Sequence, residues 1–152
     1  MILKPNYLEA RNCYQGVLHY YKGDKAALVY ILTRRNLGFC KMMLKDKEGV
    51  TLLDEFLTKY KDNKQLLPHY LEGVSMRVEQ FFIERKPKEG IEYMEREFPL
   101  EHKERRKVNF AIRMKFAQSL CGRGMCGLAE HQLEVLIKAY KTFKQPEAAV
   151  TV

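Results

Sequence analysis

Apolar side chains recur along this chain at steps of three and four residues, which is the spacing of one face of an α-helix. The pattern begins after Asn6, which together with Glu9 is typical of a capping box at a helix N-terminus. No stretch alternates apolar and polar residues for long enough to predict a β-strand. The sequence therefore predicts an all-α fold, a compact bundle or array of six to eight helices.

Turn and cap residues divide the pattern into separate helices. Residues 36–38 contain a glycine and can split the second helix into two pieces. Thr51 is predicted to cap the N-terminus of the next helix, and Pro68 is predicted to lie at an early position of the helix after that. Residues 86–90 are predicted to form a turn, and Pro99 is predicted to begin the long helix that follows.

The last two helices carry the clearest apolar stripes. Leu136 lies at the centre of the final stripe, and we predict that its side chain is buried. Residues 1–144 are predicted to form a single helical domain, and residues 145–152 a flexible tail. The predicted core positions of these two helices are Val108, Ile112, Phe116, Leu120, Leu133, Leu136, Ile137, Tyr140 and Phe143.

Composition narrows the class of protein. With 46% hydrophobic and 30% charged residues among 152, the chain has enough apolar surface to fold and is not predicted to be disordered. No apolar run is as long as a membrane-spanning helix requires. The apolar stretch among the first residues is too short to be the hydrophobic core of a signal peptide. We therefore expect a cytoplasmic or nuclear protein without a membrane partner. Its four cysteines are expected to be reduced thiols.

Positive charge is densest at the start of the long predicted helix. Residues 101–152 carry ten basic and five acidic side chains, and so contribute +5 of the net charge of +8. A helical wheel places two arginines on one predicted solvent-facing side, two turns apart, with two lysines beside them. Such a ridge can follow nucleic-acid phosphates, whereas the alternative is a solvated face whose charges pair locally. The candidate nucleic-acid-binding residues are Lys103, Arg106, Lys107 and Arg113.

A glycine-rich segment at residues 121–127 separates the last two predicted helices. Its glycines match the spacing G-x-G-x-x-G, but a dinucleotide-binding fingerprint requires a preceding β-strand, and here a helix precedes. What remains is a helix N-terminus at which Gly122, Arg123 and Gly124 could bind a small anion.

The same segment contains candidate metal ligands. Cys121, Cys126 and His131 are evenly spaced, but a closed zinc site requires a fourth ligand. We favour a connector that lets two helices approach closely with both cysteines packed, and we predict no metal and no cofactor. Although Cys126 and His131 could pair as nucleophile and base, the sequence contains no G-x-S-x-G, H-E-x-x-H or Walker motif. We therefore predict that the protein is not an enzyme.

One segment resembles a known family. The residues Asp46-Lys-Glu-Gly49-Val-Thr51-Leu-Leu53 resemble the D-x-x-G-x-T-x-L opening of an ankyrin repeat, and residues 66–73 are similar to the second helix of that repeat. The resemblance covers about residues 46–73 and does not recur one repeat length away in either direction. It implies that Gly49 permits a tight turn and that Thr51 caps the first helix.

An all-α domain without a catalytic motif is most often a binding or scaffold unit. The leading prediction is therefore a non-enzymatic protein-interaction module or adaptor whose partner is another protein. The alternative is a nucleic-acid-associated protein that uses the basic helix face of residues 103–115.

Overall fold

A computed structural model describes the chain from residue 5 to residue 148. Over that range it contains seven α-helices and one short 3₁₀ helix, with no β-strand. The predicted all-α fold of six to eight helices is confirmed. None of these helices is long and apolar enough to cross a membrane. The helices are α1 (Tyr7–Tyr20), α2 (Leu28–Met43), α3 (Lys47–Tyr60), the 3₁₀ helix (Lys64–Leu66), α4 (Leu67–Ile83), α5 (Pro87–Glu97), α6 (Arg106–Gly122) and α7 (Cys126–Ala148).

Two predicted helix starts are confirmed. The Asn6 side-chain oxygen accepts a hydrogen bond from the backbone N–H of Glu9 at 3.1 Å, and the Asn6 amide donates to the Glu9 carboxylate at 3.0 Å. The first bond satisfies one of the free backbone N–H groups at the start of α1. The second joins two side chains, whereas in a capping box the carboxylate accepts from the backbone N–H of the cap residue. Pro68 lies in the first turn of α4, where its missing N–H costs little.

The predicted break at residues 36–38 is wrong, because α2 is one continuous helix. Gly38, the glycine in this stretch, instead allows α2 and α3 to approach closely. A Cβ on Gly38 would lie 2.9 Å from the Cβ of Leu52, and one on Gly49 would lie 2.2 Å from the backbone nitrogen of Met42. Real Cβ atoms do not approach other heavy atoms that closely, so packing between the two helices requires glycine at both positions.

The start of α3 also differs from the prediction. Asp46 caps the helix by accepting a hydrogen bond from the backbone N–H of Glu48 at 3.0 Å, and the helix begins at Lys47. Gly49 and Thr51 both lie inside α3. The tight turn at Gly49 and the cap at Thr51, which the ankyrin resemblance implied, are therefore wrong. The earlier aspartate caps the helix first.

The predicted boundaries of α5 and α6 are corrected as well. α5 already begins at Pro87, within the predicted turn, and α6 begins at Arg106, well after Pro99. The Asn109 side-chain amide donates to the carbonyl of Pro99 at 2.8 Å, and Arg106 Nε donates to the carbonyl of Leu100 at 2.8 Å. Side chains of α6 thus bind carbonyls of the non-helical segment that precedes the helix.

The contacts divide the described residues into two compact units, one ending at Glu84 and the other beginning at Arg85. The first unit contains α1–α4, and the second contains α5–α7. The predicted single domain of residues 1–144 stays a prediction. The backbone of α7 is helical to Ala148, so the final helix extends four residues into the predicted tail of residues 145–152. Residues 149–152 lie outside the described range.

Each unit has its own buried side chains. In the first unit Leu53 is fully buried, and in the second Leu120 is fully buried. The predicted burial of Leu136 is confirmed, since only 1% of it is exposed. The neighbouring Ile137 and Tyr140 are 54% and 49% exposed, so their predicted core positions are wrong. The buried stripe of α7 is therefore narrower than its apolar sequence pattern.

Candidate binding surfaces

An open groove of about 850 Å³ runs between α2 and α3 in the first unit. The two helices are antiparallel, because Arg34 pairs with Glu55 while Gly38, one turn further along α2, contacts Leu52, one turn earlier on α3. The buried side chains of Leu52 and Phe56 form part of its floor. The groove is thus shaped by secondary structure on both sides.

Arg35 fixes the floor of this groove. Its side chain is only 4% exposed, and its guanidinium carbon lies 5.7 Å from the centre of the Phe56 ring. Arg35 Nη1 donates to the backbone carbonyl of His69 at 2.9 Å, and Nη2 lies 2.9 Å from a carboxylate oxygen of Glu72. One side chain of α2 therefore contacts both α3 and α4, which holds the floor in place.

Both acidic residues of the groove are already paired with arginines. Arg77 of α4 donates from Nε to the Asp54 carboxylate at 2.8 Å. Arg34 and Glu55 form an ion pair at 2.5 Å that joins α2 to α3. The negative charges of the lining are thereby neutralised within the first unit.

The end of the groove where α2 begins and α3 ends is different, and we call Lys25, Tyr30, Lys59 and Tyr60 the groove mouth. The Lys59 ammonium lies 5.4 Å from the centre of the Tyr60 ring. Neither lysine forms an ion pair within the described part of the chain. The mouth therefore presents two positive charges beside two half-buried aromatic rings. None of these four residues was predicted to form a site, because they belong to separate helices and a loop.

Arg106, from the predicted basic ridge, is half-buried rather than solvent-facing. Its guanidinium carbon lies 3.7 Å from the centre of the Phe143 ring. It also donates to the carbonyls of Leu100 and Glu101, at 2.8 and 3.3 Å. Its predicted exposure is wrong, because its donors and one face of its guanidinium serve contacts within the second unit.

Arg113 departs further from the prediction. It is only 6% exposed and lies on the same buried face of α6 as Ile112 and Phe116. Its Nη2 is 3.9 Å from a carboxylate oxygen of Glu95, and its Nε has no hydrogen-bond partner among the described residues. Burial lowers the pKa of Arg113, against the opposing effect of Glu95 and Glu101. A buried arginine cannot form part of a surface ridge.

Lys103 and Lys107 are the exposed members of the predicted ridge. Lys107 lies in the first turn of α6, and Lys103 precedes the helix. Because Arg106 is half-buried and Arg113 is buried, the four residues do not form a continuous exposed ridge.

The predicted anion site at Gly122, Arg123 and Gly124 closes α6 instead. Gly124 adopts a left-handed conformation with φ of 80°. Its N–H donates to the carbonyl of Cys121, and the Met125 N–H donates to the carbonyl of Leu120, each at 2.9 Å. The Arg123 N–H is likewise directed at carbonyls of α6. This pattern is a Schellman motif, in which the loop amides satisfy the helix C-terminus and are not available to an anion.

The two cysteines of this connector are exposed, so the prediction that both are packed is wrong. His131 is exposed as well. Within residues 5–148, no three histidine, cysteine, aspartate or glutamate side chains are grouped closely enough to bind a metal ion. The segment acts as the short loop between α6 and α7.

Comparisons of this chain with protein-family models, with curated proteins and with solved structures found no match. The resemblance of residues 46–73 to an ankyrin repeat therefore stays a prediction. A functional assignment has to rest on the geometry and charge of the chain itself.

Proposed function

We propose that this protein is a non-enzymatic interaction module whose first unit binds a short acidic segment of another protein in the groove between α2 and α3. The observation that carries the proposal is the groove mouth, where Lys25 and Lys59 lie beside Tyr30 and Tyr60 without a carboxylate partner among the described residues. Positive charge beside aromatic rings complements a segment that carries both carboxylates and apolar side chains.

The size of the groove limits the length of the bound segment. Residues 51–60 of α3 bound one side of it, and at 1.5 Å of rise per residue this stretch is about 15 Å long. An extended peptide advances about 3.3 Å per residue, so about four or five residues would fill the groove. Carboxylates would meet the lysines of the mouth, and an apolar side chain would contact the half-buried rings of Tyr30 and Tyr60.

The expected charge of the partner follows from the ion pairs that already exist within the first unit. Asp54 and Glu55 are neutralised by Arg77 and Arg34, so they do not strongly repel an incoming carboxylate. The lysines of the mouth are exposed or near solvent, where a single ion pair contributes about 1 kcal/mol or less. Binding is therefore expected to be weak and to become weaker as salt is added.

Fluorescence anisotropy tests the proposal with a labelled ten-residue peptide that alternates glutamate with leucine or phenylalanine. Wild-type protein should bind this peptide and should not bind one in which lysine replaces every glutamate. The double substitution Lys25→Glu/Lys59→Glu should weaken binding at least about tenfold, equal to about 1.4 kcal/mol, because attraction becomes repulsion. Equal binding of both peptides would contradict the proposal.

A matched variant controls for net charge. Lys47→Glu/Lys64→Glu makes the same change in charge in the first unit, at two exposed positions outside the groove. This control should bind the acidic peptide like wild type, and thermal unfolding should show that both double variants remain folded. A loss of binding equal in the two variants would mean that overall charge, rather than the groove, attracts the peptide.

A further inference from the structure

The second unit brings together two basic stretches that are far apart in the sequence. Arg106 in the first turn of α6 stacks on Phe143 of α7 at 3.7 Å, and the ring centres of Phe110 and Tyr140 are 6.3 Å apart. These contacts show that α6 and α7 are antiparallel, so the start of α6 lies beside the last turns of α7. The predicted basic cluster of residues 103–107 therefore gains neighbours from residues 140–144 at the end of α7.

The combined charge is large. Residues 101–107 and 137–144 contain seven basic and two acidic side chains, which gives +5 of the net charge of +8 in fifteen residues. Because Arg106 is engaged with Phe143, the positive charge at the surface belongs mainly to lysines. We call the following exposed residues the basic end of the second unit: Lys103, Lys107, Lys138, Tyr140, Lys141 and Lys144.

An aromatic ring lies within this charge. Tyr140 is 49% exposed although it follows the apolar stripe of α7. Its ring is tilted by 56° against that of Phe110, and the Lys144 ammonium lies 4.7 Å from its centre. On α7 the lysines at 138, 141 and 144 are each separated by about 4.5 Å of helical rise. At 3.6 residues per turn, Lys144 lies about 40° from Tyr140 around the helix axis, Lys141 about 100° and Lys138 about 160°. The three cations therefore wind around α7, and the row ends beside the partly exposed ring.

We infer that the basic end binds single-stranded nucleic acid. Lysines along a helix can neutralise successive phosphates, and an exposed tyrosine gives an unpaired base a ring on which to stack. Stacking requires a base that is not enclosed in a duplex, so single strands are the preferred ligand. This inference concerns the second unit alone and does not depend on peptide binding by the groove.

The basic end of the second unit is not suited to binding a membrane surface. An interfacial helix requires a broad exposed apolar face, but Leu136 and Ala129 of α7 are buried within the second unit. Ile137 and Tyr140 are the large apolar side chains exposed on the described part of α7. Two residues offer too little area for insertion, and phosphate binding with base stacking explains the surface better.

The experiment titrates fluorescein-labelled oligouridylate and a labelled duplex of equal length with full-length protein at several salt concentrations. Wild type should bind the single strand more tightly than the duplex, with affinity falling as salt rises. Each phosphate contact on a single strand contributes about 0.7 to the slope of log affinity against log salt. Lys138→Gln/Lys141→Gln/Lys144→Gln should therefore reduce that slope by about 2.

A variant of the ring separates stacking from charge. Tyr140→Leu should weaken binding of the single strand at least about fivefold without changing the salt slope, since stacking contributes on that scale. Tyr140→Phe should restore the affinity, because it keeps the ring. If Tyr140→Leu reduces the salt slope, or if Tyr140→Leu and Tyr140→Phe bind with equal affinity, the stacking part of the inference is removed.

A charge-matched control is Lys45→Gln/Lys47→Gln/Lys64→Gln in the first unit, which should keep the wild-type slope. The groove variant Lys25→Glu/Lys59→Glu should also bind oligouridylate like wild type, so a failure of peptide binding would not affect this result. The inference is overturned if wild type does not bind oligouridylate at low salt or if the two triple variants have equal slopes. Tighter binding to vesicles containing phosphatidylserine than to oligouridylate would also overturn it.

Discussion

The two units contain buried arginines in opposite circumstances. In the first unit, Arg77 and Arg35 donate hydrogen bonds of 2.8 and 2.9 Å, and each guanidinium lies within 6 Å of an aromatic ring centre. In the second unit, Arg113 is 3.9 Å from its nearest carboxylate partner and leaves Nε without a hydrogen bond among the described residues. The same residue type is a cross-link between helices in one unit and a tolerated buried charge in the other.

The units also use glycine differently. Gly49 in the first unit has no room for a Cβ, because the backbone of α2 lies against it. Gly127 in the second unit has no atom within 4 Å of where a Cβ would lie. The first unit thus depends on close contact between helix backbones, whereas the second tolerates added side-chain volume at its connector.

The largest expected effect is that of Gly49→Ala. The new methyl group would lie 2.2 Å from the Met42 nitrogen, and backbone on both sides prevents easy relaxation. We expect the free energy of unfolding to fall by at least about 3 kcal/mol, at the upper end of overpacking costs. Gly127→Ala, the matched change in the second unit, should alter it by about 1 kcal/mol or less. Urea denaturation followed by circular dichroism measures both, and similar results would remove the contrast between the units.

Leu136→Ala tests the core of the second unit. Since only 1% of this residue is exposed, we expect a loss of about 2–5 kcal/mol in the free energy of unfolding. The neighbouring Ile137→Ala should cost about 0.5 kcal/mol, because that side chain is 54% exposed. Equal losses at the two positions in urea denaturation would contradict the narrow buried stripe of α7.

Replacement of the buried arginines by methionine sharpens the comparison directly. Arg35→Met should lower the free energy of unfolding by about 2 kcal/mol, because the His69 carbonyl loses a charged donor. Glu72 adds little to this figure, since its side chain is 54% exposed. Arg113→Met should change it by about 1 kcal/mol or less, or raise it, because an apolar side chain replaces a poorly paired buried charge. A larger loss at Arg113 than at Arg35 would reverse our interpretation.

The smallest expected effect concerns the reactivity of the cysteine thiols. Cys40 is 5% exposed, and burial raises its pKa, so both access and thiolate formation are suppressed. Cys13, Cys121 and Cys126 are exposed. Native protein treated with iodoacetamide near neutral pH should gain three adducts quickly, and a fourth only on unfolding, as followed by mass spectrometry. Four adducts formed at one rate would show that Cys40 is accessible.

The helical periodicity was sufficient to predict the fold class because apolar residues recur at helical spacing in each segment, even in α1, which has no buried residue. It failed at boundaries where side chains bind backbone, as Asn109 and Arg106 do before α6. The periodicity also wrongly predicted that Arg113 is exposed. A helical wheel assigns charged residues to the solvent-facing side, and it does not show that packing within the second unit buries this arginine.

The candidate sites were less predictable than the fold. The groove mouth joins Lys25 and Tyr30 to Lys59 and Tyr60 only because α2 and α3 are antiparallel. The lysines of α7 join residues 103–107 for the same reason, through the pairing of α6 with α7. No local motif carries such information, whereas the pairing of two neighbouring helices across a short loop could have suggested both sites.

The most direct test of the central claim, that the groove recognises an acidic segment, is a ¹H–¹⁵N correlation spectrum recorded during titration with the glutamate-rich peptide. We predict that amide shifts concentrate in residues 25–35 and 51–60, where the groove lies, while those of residues 138–144 stay unchanged. Shifts concentrated in residues 103–107 and 138–144, or no shifts at saturating peptide, would contradict the claim.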